Sequence, residues 1–290
     1  MNRFVAFAAA ALAASICISS ACTAAEREPI RFTLGADRGG QSIHASFHSS
    51  NGRGRENDWS TGFHPSDLAG LDMAAFHGAG NQPLRFALVR EAGRMDCSGS
   101  GGGFHAAGGC AFSADPGFMQ FLQSRGVARP TNEQAFGLMA LNVRRELIDA
   151  IAAARYPRPT IDNLMALSAL GIDERYIAGM AEAGYRPQSL DALVQFKALD
   201  ITPQWIGGFV RIGYGGLPAD QLMQLKALDI TPDYIAGFDR VGYRHLPVDK
   251  LVQLKALDIT PDFVRSVAGP GGQMPDVATL MQWKTAGRRR

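Results

Sequence analysis

The chain has 290 residues and a formal net charge of +2, a balance too even to argue for a nucleic-acid partner. Arg288, Arg289 and Arg290 form a basic tail at 285–290; without them the C-terminal half is neutral, so any electrostatic role is local.

The first segment has the layout of a secretory leader: Asn2 and Arg3, an apolar run from Phe4 to Ile18, small residues "SSACTAA", then charge at Glu26. That run is too short for the roughly 20 residues of a membrane span. We expect a signal peptide over 1–25, cleaved after Ala25, with no membrane span and a periplasmic or secreted product. The alternative is a lipid anchor at Cys22, although "SSAC" lacks the usual aliphatic residue three places upstream.

Residues 26–120 are rich in glycine and carry short alternating runs such as Ile30, Phe32, Leu34 and Leu84, Phe86, Leu88. Period-two patterns bounded by Gly, Ser and Asn predict half-buried strands, hence a small antiparallel β-rich domain. "HPSDLAGLDMAAFHG" reads as one helical turn or a long connection within it. Cys97 and Cys110 remain after leader removal, and in an exported protein they suggest one disulfide across a glycine-rich hairpin connection, the alternative being two free thiols. The run Gly99–Gly103 reads as a flexible turn. His44 and His48 stand four apart, but on a strand this places them about 13 Å apart, so exposed histidines are preferred over a metal site.

From 131 to 284 the pattern turns helical and repeats. Leu164, Leu193, Leu222, Leu251 and Leu280 are each 29 residues from the next, as are Ile172, Ile201, Ile230 and Ile259. A fixed period of this size signals stacked supersecondary units, here about five. Within one unit, Leu222, Leu225 and Leu228 mark a first short helix. Thr231 and Pro232 then supply an N-cap and a first helical residue, and Asp233 meets the positive end of the helix dipole. A second helix follows, with Tyr234, Ile235 and Phe238 on one face and Gly242 as its left-handed stop. Tyr243 is expected to fold back over the hairpin. Pairs this short need neighbours to bury a core. The fold class is therefore α+β: the β-rich domain followed by an all-α helical-hairpin repeat solenoid.

The phrase LVxLKALxITPxYIxGFxxxGY resembles the tandem helical repeats of bacterial envelope proteins, including those appended to membrane metallopeptidases of the β-lactam-sensor type. "PLRFALVREAG", the glycine hairpin and "FSADPGF" are similar to the region preceding such repeats. The resemblance implies an envelope setting, but the peptidase activity does not carry over. The zinc motif HExxH is missing, since no histidine here precedes a glutamate.

Neither GxSxG nor a P-loop occurs; Ser60 and Ser124 lack the preceding glycine of a nucleophile elbow. No cofactor or metal is implied. Lys197, Lys226 and Lys255, each three residues before Asp200, Asp229 and Asp258, suggest i,i+3 ion pairs on solvated helix faces. The second helices vary more. Their expected outward positions hold Gln204, Gly208 and Arg211, then Asp233, Gly237 and Arg240, then Asp262, Ser266 and Arg265. A constant core with a varied face is the layout of a binding surface. The leading expectation is a non-catalytic interaction protein whose partner is an envelope protein or cell-wall component, bound through Gln204, Arg211, Asp233, Arg240, Asp262 and Arg265. The alternative is an envelope hydrolase with a site in the β-rich domain or at the junction.

Overall fold

The computed structural model describes residues 30–36, 42–50, 56–267 and 274–287. The expected signal peptide, Cys22 and the terminal arginines lie outside the described residues. The N-terminal half contains β1 (Ile30–Ala36), β2 (Ile43–Ser50), β3 (Glu56–Phe63), β4 (Leu68–Ala69), β5 (Gln82–Arg90), β6 (Gly93–Gly102) and β7 (His105–Ala114). They form one curled antiparallel sheet in the order β3-β2-β1-β7-β6-β5-β4. Alternation sets its two faces: Phe32, Leu34, Phe47, Phe86, Met95 and Cys110 are buried on the inner one, while Arg31, His48, Arg94 and Ser98 stand on the outer one.

The Cys97–Cys110 disulfide is formed between directly opposed inner-face residues of β6 and β7, whose Cα atoms are 4.1 Å apart. The hairpin turn is shorter than the glycine run suggested. It consists of Gly103 and Phe104 alone, both with positive φ, as a two-residue turn matched to strand twist requires. Phe104 holds that left-handed conformation because its N–H donates to the Phe76 carbonyl and its ring stacks on His77. The reading of Gly99–Gly103 as a flexible turn is thus corrected: Gly99, Gly101 and Gly102 lie within β6. A Cβ on Gly99 would stand 2.1 Å from the Ala107 carbonyl oxygen, so glycine permits the close backbone approach at this bend.

Between β3 and β5 the chain makes a 3-10 turn at Pro65–Asp67, then the short helix α1 (Met73–His77), N-capped by Asp72. After β7, α2 (Pro116–Ser124) spans residue 120, where the composition changes. Five helix pairs follow. They are α3 (Asn132–Ala140) with α4 (Arg145–Ala153), α5 (Ile161–Ala169) with α6 (Glu174–Glu182), and α7 (Leu190–Ala198) with α8 (Pro203–Arg211). Next come α9 (Ala219–Ala227) with α10 (Pro232–Arg240) and α11 (Val248–Ala256) with α12 (Pro261–Val267), and α13 (Val277–Thr285) ends the described chain. Each first helix begins 29 residues after the last.

The repeated phrase folds as its spacing predicts. In the fourth pair α9 closes with the Ile230 N–H on the Leu225 carbonyl and the Asp229 N–H on that of Lys226, a Schellman stop. Thr231 Oγ1 then accepts from the Tyr234 N–H at 3.2 Å, with Pro232 in the first turn. Three residues, Asp-Ile-Thr, therefore end one helix and start the next. First helices stack on first helices and second on second, making two parallel layers.

A single buried core runs from Phe32 in the sheet to Leu222 in α9, and a second cluster runs from Phe209 to Leu280, with Trp205 and Leu217 packed against both. The sheet's inner face is thus covered by helices that include the first pair. At this junction Arg90 lies over the Trp59 and Phe63 rings and donates to the Met139 carbonyl at 2.9 Å, capping α3. Burial pushes its guanidinium pKa down. Arg145 bonds Glu91 at 3.1 Å and spreads over Phe118 and Phe121. These junction charges are occupied in holding the two halves together.

Candidate interaction surface

Each repeat is tied to its neighbours by a recurring set of side chains. Lys197, Lys226, Lys255 and Lys284 lie over the rings of Tyr176, Trp205, Tyr234 and Phe263, each in the preceding unit, at 4.9 to 5.6 Å. Lys255 and Lys284 also donate to the carbonyls of Asp229 and Asp258, and Lys226 and Lys284 pair with the carboxylates of Asp200 and Asp258. This corrects the expected i,i+3 pairs. Asp200, Asp229 and Asp258 lie past the helix end with φ of 53°, 50° and 51°, in the left-handed C′ position, so they meet the lysine of the following unit. Asparagine or glycine holds the same place at Asn142 and Gly171.

The tyrosines reach the other way. Tyr176 Oη donates to the Ile201 carbonyl at 2.7 Å and Tyr234 Oη to Ile259 at 2.8 Å. Tyr214 donates to Leu246 and Tyr243 to Pro275. The Tyr243 ring does contact Phe238 of its own hairpin, as expected, but its hydroxyl belongs to the next unit. Burial, then neighbouring charge, raises all six phenol pKa values; Tyr156 and Tyr214 are pushed up to about 12.

Glycine supplies the third tie. Gly208 and Gly237, expected to point outward, are instead buried, which corrects that expectation. A Cβ on Gly237 would stand 2.7 Å from Pro261 Cγ and one on Gly208 3.0 Å from Pro232 Cγ, so the first-turn proline of each second helix rests on the preceding glycine. Ser266 holds this place in α12, and the position 29 residues after Pro261 is Arg290, not proline. The serine hydroxyl instead donates to the Phe263 carbonyl.

The six proposed contact residues are all exposed. Gln204, Asp233 and Asp262 form one row in the first turns of α8, α10 and α12; Arg211 and Arg240 form another, seven residues on, two turns along the same helix face. Arg265 stands apart from that row. Its equivalents are Gly207 and Ala236, and it pairs with Asp262 inside its own helix. Arg240 bends back to the Ala236 carbonyl at 3.2 Å.

On the sheet, His44 and His48 share the outer face of β2, and His48 bonds Asp58 on β3. Ser60 donates to Ser46, and Ser124 to the Phe121 carbonyl. Among the described residues no three of His, Cys, Asp and Glu converge, and no helix is long and apolar enough to cross a membrane. The outer face also carries two arginines that motif searching passed over, Arg31 and Arg85; strand alternation was the signal that places them there. No family model, curated protein or solved structure matches the chain.

Proposed function

We propose that this is an exported, non-catalytic interaction protein of the bacterial cell envelope, whose repeat stack presents the exposed second-helix rows to a protein or cell-wall partner. The observation that carries this reading is the division of labour within each unit. Residues that bind the neighbouring units recur at 29-residue intervals, whereas the exposed rows change from Arg175 to Gln204 to Asp233 and from Glu182 to Arg211. The buried disulfide suits an oxidising compartment, and the likeness of the repeat phrase to envelope proteins points to the same setting. The charged groups at the junction are engaged in structural bonds, which leaves the hydrolase alternative without a specific observation in its favour.

Charge reversal of Arg211 and Arg240, with Arg265→Glu added, tests the surface. Crosslinking in intact cells should identify a partner for the parent chain, and the triple variant should lose it while keeping its helical circular-dichroism spectrum. Undiminished capture by a folded triple variant would remove these rows from the interface.

A further inference from the structure

The outer face of the sheet holds a second candidate surface, remote in sequence from the helical rows. The strand register aligns Arg31 of β1, Gly109 of β7, Ser98 of β6 and Arg85 of β5 in one row across four strands. The two arginines are exposed and form no ion pair among the described residues, while Gly109 and Ser98 leave a low floor between them. At the β5 end the row opens into a shallow cavity of about 330 Å³, walled by Ala69, Gly70, Arg85, Arg94, Asp96 and Ser98.

Charge accounting on this face is uneven. Asp96 is held bidentately by Arg94, at 2.8 and 3.0 Å from Nε, which keeps its carboxyl below the usual range. Asp58 is held by His48. The two acids of this face whose side chains are described, Asp96 and Asp58, are therefore engaged by basic partners on the face itself, and the guanidiniums of Arg31 and Arg85 are complementary to anionic groups. Described positions of this face contain no Phe, Tyr or Trp, so the stacking platform that single-stranded nucleic acids need is missing.

We propose that this row binds an acidic peptide segment lying across the strands, with one carboxylate on Arg85 and Ser98 in the cavity and a second on Arg31. Three inter-strand steps place the two arginines about 14 Å apart. An extended peptide advances about 13.5 Å in four residues, and residues four apart point to the same side. The recognised pattern is thus Glu or Asp at i and i+4 of an extended segment, each taken by a planar guanidinium fork suited to a carboxylate.

The test uses the full chain and a fluorescently labelled nine-residue Gly/Ser peptide carrying glutamate at positions 3 and 7, followed by fluorescence anisotropy at low salt. Arg85→Gln and Arg31→Gln should each weaken binding about tenfold, the expected cost of one charge-assisted contact. Unchanged melting temperatures would show that both variants fold. The same peptide with two glutamines should not bind. Absence of binding by the parent chain, equal affinity of either variant, or equal binding of a peptide with adjacent glutamates would each overturn the proposal. The helical rows are untouched by these substitutions, so the outcome is independent of the reading above.

Discussion

A single carboxylate shows how closely residue identity is matched to place in the stack. Asp239 in α10 is half-buried, and its Oδ1 is enclosed with no hydrogen-bond partner among the described residues. Its repeat equivalents are Ala181 and Val210, which ask for no such partner. Enclosing an unpaired polar atom costs about 1–3 kcal/mol, and aspartate is a poorer helix former than alanine. Asp239→Ala should therefore raise stability by about 1 kcal/mol, seen as a higher urea midpoint with an unchanged slope; a lower midpoint would show that the carboxylate supports the fold. Residues of this kind are illegible in a repeat pattern, because the pattern reports what copies share. Asp200, Asp229 and Asp258 misled for a related reason: three-residue spacing from a lysine suggests one helix, and only the Schellman stop between them shows that the helix has already ended.

At the scale of the element, the unit was legible because its signals are local. Leucine spacing, the Thr-Pro start and Gly242 each act within a few residues, and all three stand where they were expected. What joins units was not legible, since Tyr234 to Ile259 spans 25 residues and depends on how helices stack. The tyrosine contacts carry a pH signature. Their phenol pKa values are raised above the ordinary value of 10.0, chiefly by burial, so the fold favours the neutral form. The stability they contribute is fully present below pH 10 and lost as pH rises through the folded values, about 12 for Tyr156 and Tyr214. Ellipticity at the helical band should thus hold to about pH 10 and fall together with the appearance of phenolate absorbance. Phenolate forming around pH 10 with the helices intact would contradict the buried contacts.

The whole molecule was legible in outline: an antiparallel sheet, a disulfide hairpin and a helical stack follow from alternation, cysteine position and period. The outline missed the continuity of the core, because Phe136 of α3 meets Trp59 and Phe112 of the sheet through packing that no local pattern encodes. Continuity also constrains length changes. The α7–α8 and α9–α10 units each carry a lysine for the unit before and a tyrosine for the one after, so removal of residues 219–247 joins Pro218 to Val248 and lets Lys255 take over the place of Lys226 above Trp205. This 29-residue deletion should leave a cooperatively unfolding, helical protein, whereas removal of residues 219–233 should not; a non-cooperative melt for the first would mean that the units are not interchangeable.

The same lysine and tyrosine contacts join nearest neighbours only, and this has a mechanical meaning. Tension applied along the stack passes through every boundary in turn, as through links of a chain, so the weakest boundary sets the yield force and the others survive it. A stack joined this way is expected to lengthen under load by discrete units, while the cross-linked hairpin of the sheet stays closed.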